Sequence, residues 1–156
     1  MAEQTITRKE LVAALNGDLA REYQAVIAYV VYSQVIKGAE YMAIAKELEK
    51  HAAQELAHAL KISKHIDYLG GTPTTKALEV KMSDDPRQLL RFDLESENDT
   101  VREYRARVRQ CEAMQEYGIA EDIREILRQE QEHQIDLATA LGEEVPDVAA
   151  LAGARR

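Results

Sequence analysis

The sequence predicts an all-α protein, an antiparallel four-helix bundle made of two helical hairpins joined by one long crossover. Three observations point there. Apolar residues recur every three or four positions through four long stretches. Only 3 prolines and 7 glycines interrupt 156 residues. The strongest turn signals fall between the apolar stretches and not within them. With 46% hydrophobic and 31% charged residues, the length suits a single domain over 1–156. The bundle would occupy about 7–142 and a tail 143–156.

The first helix is expected to begin near Thr7, where Thr7 and Glu10 have capping-box spacing, and to run to about Lys37 before Gly38. Its apolar stripe is Leu11, Leu15, Leu19, Val26, Val30 and Ile36. The second runs from about Glu40 to Leu69, with Ile44, Leu48, Ala52, Ala59, Ile62 and Ile66 on one side and Gly70–Gly71 as its stop. Residues 71–85 lack a period, with Pro73 inside the stretch and Pro86 directly after it, which reads as the crossover between helices 2 and 3. The third helix starts after Asp85 as N-cap with Pro86 at its first position, and reaches about Tyr117 before a turn at Gly118. The fourth covers about Ala120 to Leu141, with Ile123, Ile126, Leu127, Leu137 and Leu141 apolar. An Ala/Leu-rich tail offers a short fifth helix. Helices of roughly 30 residues would be about 45 Å long, and a long connection is what a chain needs to travel back along such a bundle.

Composition narrows the function. A net charge of −8 opposes a nucleic-acid surface, and no basic arm precedes the terminal Arg155–Arg156. The polar stretch Met1–Glu10 is not a secretory signal, and the apolar run Ala25–Ile36 is too short to span a bilayer. Neither nucleic acid nor membrane is an expected partner. The lone Cys111 rules out an intrachain disulfide and a CxxC knuckle, which fits a cytoplasmic setting.

The chain writes one pattern twice, 75 positions apart: Asp18, Leu19, Glu22, Tyr29, Glu55, His58, then Asp93, Leu94, Glu97, Tyr104, Glu130, His133. Each half reads D-L-x-x-E, a tyrosine seven residues later, and E-x-x-H thirty-three residues after the glutamate. Glutamates and histidines three apart share a helix face, and these fall in the apolar stripes, so they point at the core. Four carboxylates buried together repel unless cations neutralise them. Four carboxylates and two imidazoles suit two divalent ions, iron or manganese, with zinc or cobalt able to substitute.

On these residues the chain resembles the ferritins, and among them the bacterioferritins. The resemblance covers about Thr7 to Leu141 and rests on Glu22 with Tyr29 in E-Y-Q-A-V-I-A-Y, Glu55-Leu56-Ala57-His58, Asp93-Leu94-Glu95-Ser96-Glu97 and Glu130-Gln131-Glu132-His133. It implies a ferroxidase with two Fe ions per chain, Glu55 and Glu130 bridging them, Glu22 and His58 completing one and Glu97 and His133 the other. It further implies iron storage as ferric mineral in a homo-oligomeric cage of 24 or 12 copies, with dioxygen or hydrogen peroxide as oxidant. Two departures stand out. Leu56 occupies the position of the family's haem-ligating methionine, so no haem is expected. Lys50 and Gln54 occupy the positions of its inner-surface iron ligands. The alternatives are a Dps-like dodecamer or a rubrerythrin-type protein consuming peroxide at the same site.

The remaining expectations are less specific. Tyr29 and Tyr104 are core tyrosines seeking a hydroxyl partner, or donors to a bridging carboxylate able to supply an electron. Asp18 and Asp93 either accept the second N–H of a ligand histidine or are surface charges. His51 and His65 read as partly exposed, Tyr23 and Tyr32 as outer-face residues at subunit contacts, and Cys111 as a small buried apolar residue.

Overall fold

A computed structural model describes residues 5–153; Met1 and the terminal Arg155–Arg156 lie outside the described residues. Four long helices form the bundle: α1 (Arg8–Val35), α2 (Met42–Tyr68), α3 (Pro86–Ala113) and α4 (Tyr117–Leu141), followed by the short α5 (Val148–Gly153). Helix α1 packs most extensively on α2, and α3 on α4; the hairpins then join through α1–α3 and α2–α4 contacts. No described helix is long and apolar enough to cross a membrane.

The helix starts follow their local chemistry. Thr7 accepts from the Glu10 amide while Glu10 accepts from the Thr7 amide, at 3.1 and 2.7 Å, closing the capping box. Asp85 caps α3 by accepting from Arg87 N–H at 3.0 Å, with Pro86 supplying no amide that needs a partner. Gly71 is required by packing: a Cβ there would stand 2.4 Å from Val12 Cγ1.

Three boundaries differ from expectation. A 3-10 turn at Ala39–Tyr41 precedes α2. The α3–α4 turn lies at Met114–Glu116, not at Gly118, because Gln115 takes the left-handed φ of 61° and Glu116 N–H closes on the Cys111 carbonyl at 2.8 Å. Gly118 therefore falls inside α4, which starts at Tyr117. Val30, expected in the core, is 50% exposed. The buried line on α1 runs through Tyr29, Tyr32 and Ser33 and continues to Ile36 just past its end, leaving Val30 outside it.

The crossover is fastened along α1. Asn16 donates to the Thr72 carbonyl and accepts from the Thr74 amide, Leu78 N–H reaches the Ala20 carbonyl, and Gln24 reaches the Glu79 carbonyl. Tyr32, expected on the outer face, is buried and donates its hydroxyl to the Lys81 carbonyl. The backbone groups of an irregular strand need such partners, and α1 supplies them from its polar side.

The core divides into two apolar blocks. One gathers Leu11, Leu15, Leu19, Ile62, Ile66, Ile119 and Ile123; the other Leu48, Leu89, Leu90, Leu94, Leu137 and Leu141. Between them, halfway along the bundle, lies a layer of buried carboxylates and imidazoles.

Candidate metal centre

Glu22, Glu55, His58, Glu97, Glu130 and His133 are each no more than 3% exposed. One ligand atom from each of Glu22, Glu55, His58 and Glu130 lies within 4.8 Å of the others, and the same holds for Glu55, Glu97, Glu130 and His133. The two groups share Glu55 and Glu130. All six residues predicted from the repeat meet in one place because the pseudo-twofold relation between hairpins brings the E-x-x-H of α2 opposite that of α4.

The geometry favours Nδ1 as the inward nitrogen of each histidine. His58 Nδ1 stands 2.9 Å from Glu55 Oε2 and 3.0 Å from Glu130 Oε1; His133 Nδ1 stands 3.1 Å from both Glu55 Oε1 and Glu130 Oε2. The outer nitrogens are spoken for. His58 Nε2 donates to Gln129 Oε1, and His133 Nε2 to Gln54 Oε1, both at 2.6 Å. That hydrogen bond fixes the tautomer with a bare Nδ1 available whenever a cation replaces the shared proton.

The tyrosines pair crosswise. Tyr29 on α1 donates to Glu97 on α3, and Tyr104 on α3 donates to Glu22 on α1. They therefore meet the outer glutamates of the opposite hairpin and not the shared pair Glu55 and Glu130, as the sequence suggested. Burial, reinforced by the neighbouring carboxylates, pushes both phenols well above their ordinary range, so they stay protonated donors.

Electrostatics show what the site lacks. Burial, then the charges of Glu130, Glu22 and Glu97, raises the Glu55 carboxyl well above the carboxylate range. Burial would lower the histidines, yet the hydrogen-bonding carboxylates outweigh it, taking His133 to about 10 and His58 higher still. Protons thus hold together an arrangement that has more negative charge than the fold neutralises. Even so, Glu22 Oε2 and Glu97 Oε2 are buried with no hydrogen-bond partner among the described residues, and Glu130 Oε2 has only the His133 Nδ1 contact, which is not aligned as a hydrogen bond. Buried carboxylate oxygens left so in one layer fit divalent cations as partners.

Other expectations are corrected. Asp18 and Asp93 are neither surface charges nor histidine partners; both are buried. Asp18 accepts from Arg107 Nε at 2.7 Å and Nη2 at 3.1 Å, and also from Arg21. His51 and His65 are buried, each donating Nε2 to an α4 aspartate, Asp136 at 3.0 Å and Asp122 at 2.7 Å. The His51 ring stacks on that of His133 with centroids 3.9 Å apart. Cys111 is fully buried, as expected. Sequence reasoning missed Gln129 and Arg107, and the partnership of Gln54 with His133. A signal for the glutamines existed, since each directly precedes its E-x-x-H glutamate at the same 75-residue offset.

A four-helix bundle with a buried glutamate–histidine centre suited to two metals defines a class, the carboxylate-bridged di-metal bundles. A ferritin-like domain profile matches residues 12–144, and the chain belongs to that family. It is 29% identical over 97 residues to a bacterioferritin of Rhodobacter capsulatus, covering 62% of this chain and 60% of that protein. It is 27% identical over 103 residues to a bacterial ferritin of Neisseria meningitidis, covering 66% and 64%. The chain thus spans less than two thirds of the length of these curated relatives. Among solved structures, a ferritin-like, diiron-carboxylate protein from Bacillus anthracis superposes with TM-score 0.83 at 32% identity, over 86% of this chain and 96% of that one. A dodecameric thioferritin, the bacterioferritin-related protein from Bacteroides fragilis, superposes with TM-score 0.81 at 26% identity, over 96% and 92%.

Proposed function

We propose that this protein is a ferroxidase that oxidises Fe(II) within each chain and passes the ferric product to a mineral stored inside a shell of identical chains. Glu22, Glu55, His58 and Glu130 would hold one ion and Glu55, Glu97, Glu130 and His133 the other, so that Glu55 and Glu130 would serve both. The observation that carries this reading is the pair of four-residue groups sharing Glu55 and Glu130, with buried oxygens of Glu22 and Glu97 left without hydrogen-bond partners. A bound pair of irons can deliver two electrons together to dioxygen or hydrogen peroxide, which a single Fe(II) cannot.

The chain's own residues do the rest. The apolar blocks cover the polar layer at both ends, so its carboxylates act in a low dielectric. Gln54 and Gln129 hold the imidazoles with Nδ1 inward. Tyr29 and Tyr104 steady Glu97 and Glu22, and as phenols beside the centre they are candidate one-electron donors. Manganese, zinc or cobalt suits the same donors. Leu56, half exposed on α2, offers no haem ligand.

Assembly into 12 or 24 copies, in the cytoplasm, belongs to the same reading. Ile27 and Val30 on α1 and Leu56 and Leu60 on α2 are 45–66% exposed, an apolar outer face that suits burial against other copies. The superposition on the dodecameric B. fragilis protein over 96% of this chain favours twelve copies over twenty-four; a second reading, a Dps-like dodecamer or a rubrerythrin-type protein consuming peroxide, would use the same centre. The test is aerobic addition of Fe(II) to wild type, Glu55→Ala and Glu130→Ala. Both variants should lose the fast oxidation phase. If both oxidise iron at the wild-type rate, the ferroxidase reading fails. Particle mass, and the rate with peroxide against dioxygen, separates storage cage from peroxidase.

A further inference from the structure

The two halves of the repeat differ around their aspartates. Asp18 and Asp93 correspond across the 75-residue offset, and both are buried, at 0% and 4% exposure. Asp18 is neutralised: Arg107 grips it from α3 and Arg21 from one turn along α1. The positions that would do the same for Asp93 hold Tyr32 and Ser96, neither of which carries a charge. The Tyr32 hydroxyl goes to the Lys81 carbonyl instead. Asp93 Oδ2 is left buried with no hydrogen-bond partner among the described residues.

A cavity of about 300 Å³ opens on this side, with Tyr32, Ser96 and Asp93 in its wall. Its outer part reaches exposed Glu95 and Leu78 of α3 and the crossover, and its inner part reaches buried Tyr29 and Glu97. At about 30 Å³ per water it has room for a cation with its hydration shell. Four of its lining residues are acidic, Asp93, Glu95, Glu97 and Asp99. The two basic ones are engaged elsewhere, Arg21 on Asp18 and Lys81 over the Phe92 ring at 5.5 Å. Burial and the Glu97 charge both raise the Asp93 carboxyl well above its usual range, as expected for a negative charge with no counterion.

We propose that Asp93 is a transit site for a divalent cation, and that this cavity is a one-sided entrance to the metal centre between α1 and α3. The proposal rests on the ligand set assigned above. A hydrated cation drawn in by the acidic wall exchanges water for the Asp93 carboxylate. It then moves about 6 Å, one helical turn, to Glu97. On the pseudo-equivalent side, Arg107 and Arg21 occupy the corresponding carboxylate, so that route is plugged.

The experiment mixes the metal-free, assembled protein with Co²⁺ without oxygen and follows the rise of visible absorption by stopped flow, with final stoichiometry by equilibrium titration. The variants are Asp93→Asn, which removes the transit charge, and Ser96→Arg, which places a guanidinium where Arg21 stands relative to Asp18. Ser96 is only partly buried, so the second variant keeps the test informative if the first folds poorly. Both are expected to bind two Co²⁺ per chain at equilibrium but to fill at least ~tenfold more slowly. Filling of either folded variant at the wild-type rate overturns the proposal. So does a final stoichiometry below two in Asp93→Asn, which would make Asp93 a ligand of the centre. A wild-type stoichiometry below two would instead sink the ligand assignment on which the proposal rests.

Discussion

Replacing Arg107 with methionine tests how the bundle tolerates charge away from the metal ligands. Arg107 is 4% exposed and donates from Nε and Nη2 to Asp18, itself wholly buried, at 2.7 and 3.1 Å. Arg107→Met strands that carboxylate in the apolar block formed around Leu15 and Leu19. Removing one partner of a buried pair costs about 3–5 kcal/mol, and the lower end applies because Arg21 still reaches Asp18. For a domain of this size each kcal/mol moves Tm by about 2–4 °C, so the metal-free variant should melt about 6–12 °C lower. Asp18→Leu added to Arg107→Met removes the stranded charge and should recover most of the loss, since an apolar pair often replaces a buried ion pair without penalty. The assay is scanning calorimetry of metal-free wild type, both single variants and the double. A drop under about 2 °C for Arg107→Met, or a double no more stable than that single, would refute the claim that Asp18 depends on this guanidinium.

Two further outcomes follow from the centre itself. Gln54→Leu removes the acceptor that holds His133 Nε2–H and should weaken Co²⁺ binding at one of the two sites about 10–100-fold, while Gln129→Leu does the same through His58; unchanged titrations for both would mean packing alone orients the rings. The His133 pKa of about 10 lies above its unfolded value, so its stabilising contribution is complete below pH ~6.5 and is lost as pH rises through 10. The raised Glu55 works in the same direction. Metal-free protein should therefore lose thermal stability from pH 6.5 to 10, whereas added Co²⁺ should stabilise it more at the upper end, because binding needs deprotonated ligands. Calorimetry across that range checks both halves, and a metal-free Tm that climbs from pH 7 to 9.5 would contradict the assignment.

Helix placement and ligand identity were readable because both depend on spacing. Leu11, Leu15 and Leu19, or Ile44, Leu48 and Ala52, announce a buried face through period alone. Glu55 with His58 and Glu130 with His133 announce a polar centre by interrupting such faces. What spacing left open was partnership. Tyr29 could have met a shared carboxylate; it meets Glu97, 68 residues away, because α1 and α3 lie across the bundle from each other's outer glutamates. His51, His65 and Tyr32 looked like surface residues because their partners, Asp136, Asp122 and the Lys81 carbonyl, come from other elements. Gly118 looked like the α3–α4 turn, yet Gln115 adopts the left-handed conformation, since the hydrogen bonds closing α3 fell there.

The sequence by itself determined that four amphipathic helices carry a duplicated set of four glutamates and two histidines on their buried faces, because periodicity and offset are one-dimensional properties. Only the tertiary structure decided that Glu55 and Glu130 are common to two groups, that Gln54 and Gln129 accept from the outer nitrogens of the imidazoles, and that Arg107 pairs with Asp18 while Asp93 Oδ2 is left without a partner. Those outcomes are set by distances between residues on different helices, which exist only once the two hairpins have packed.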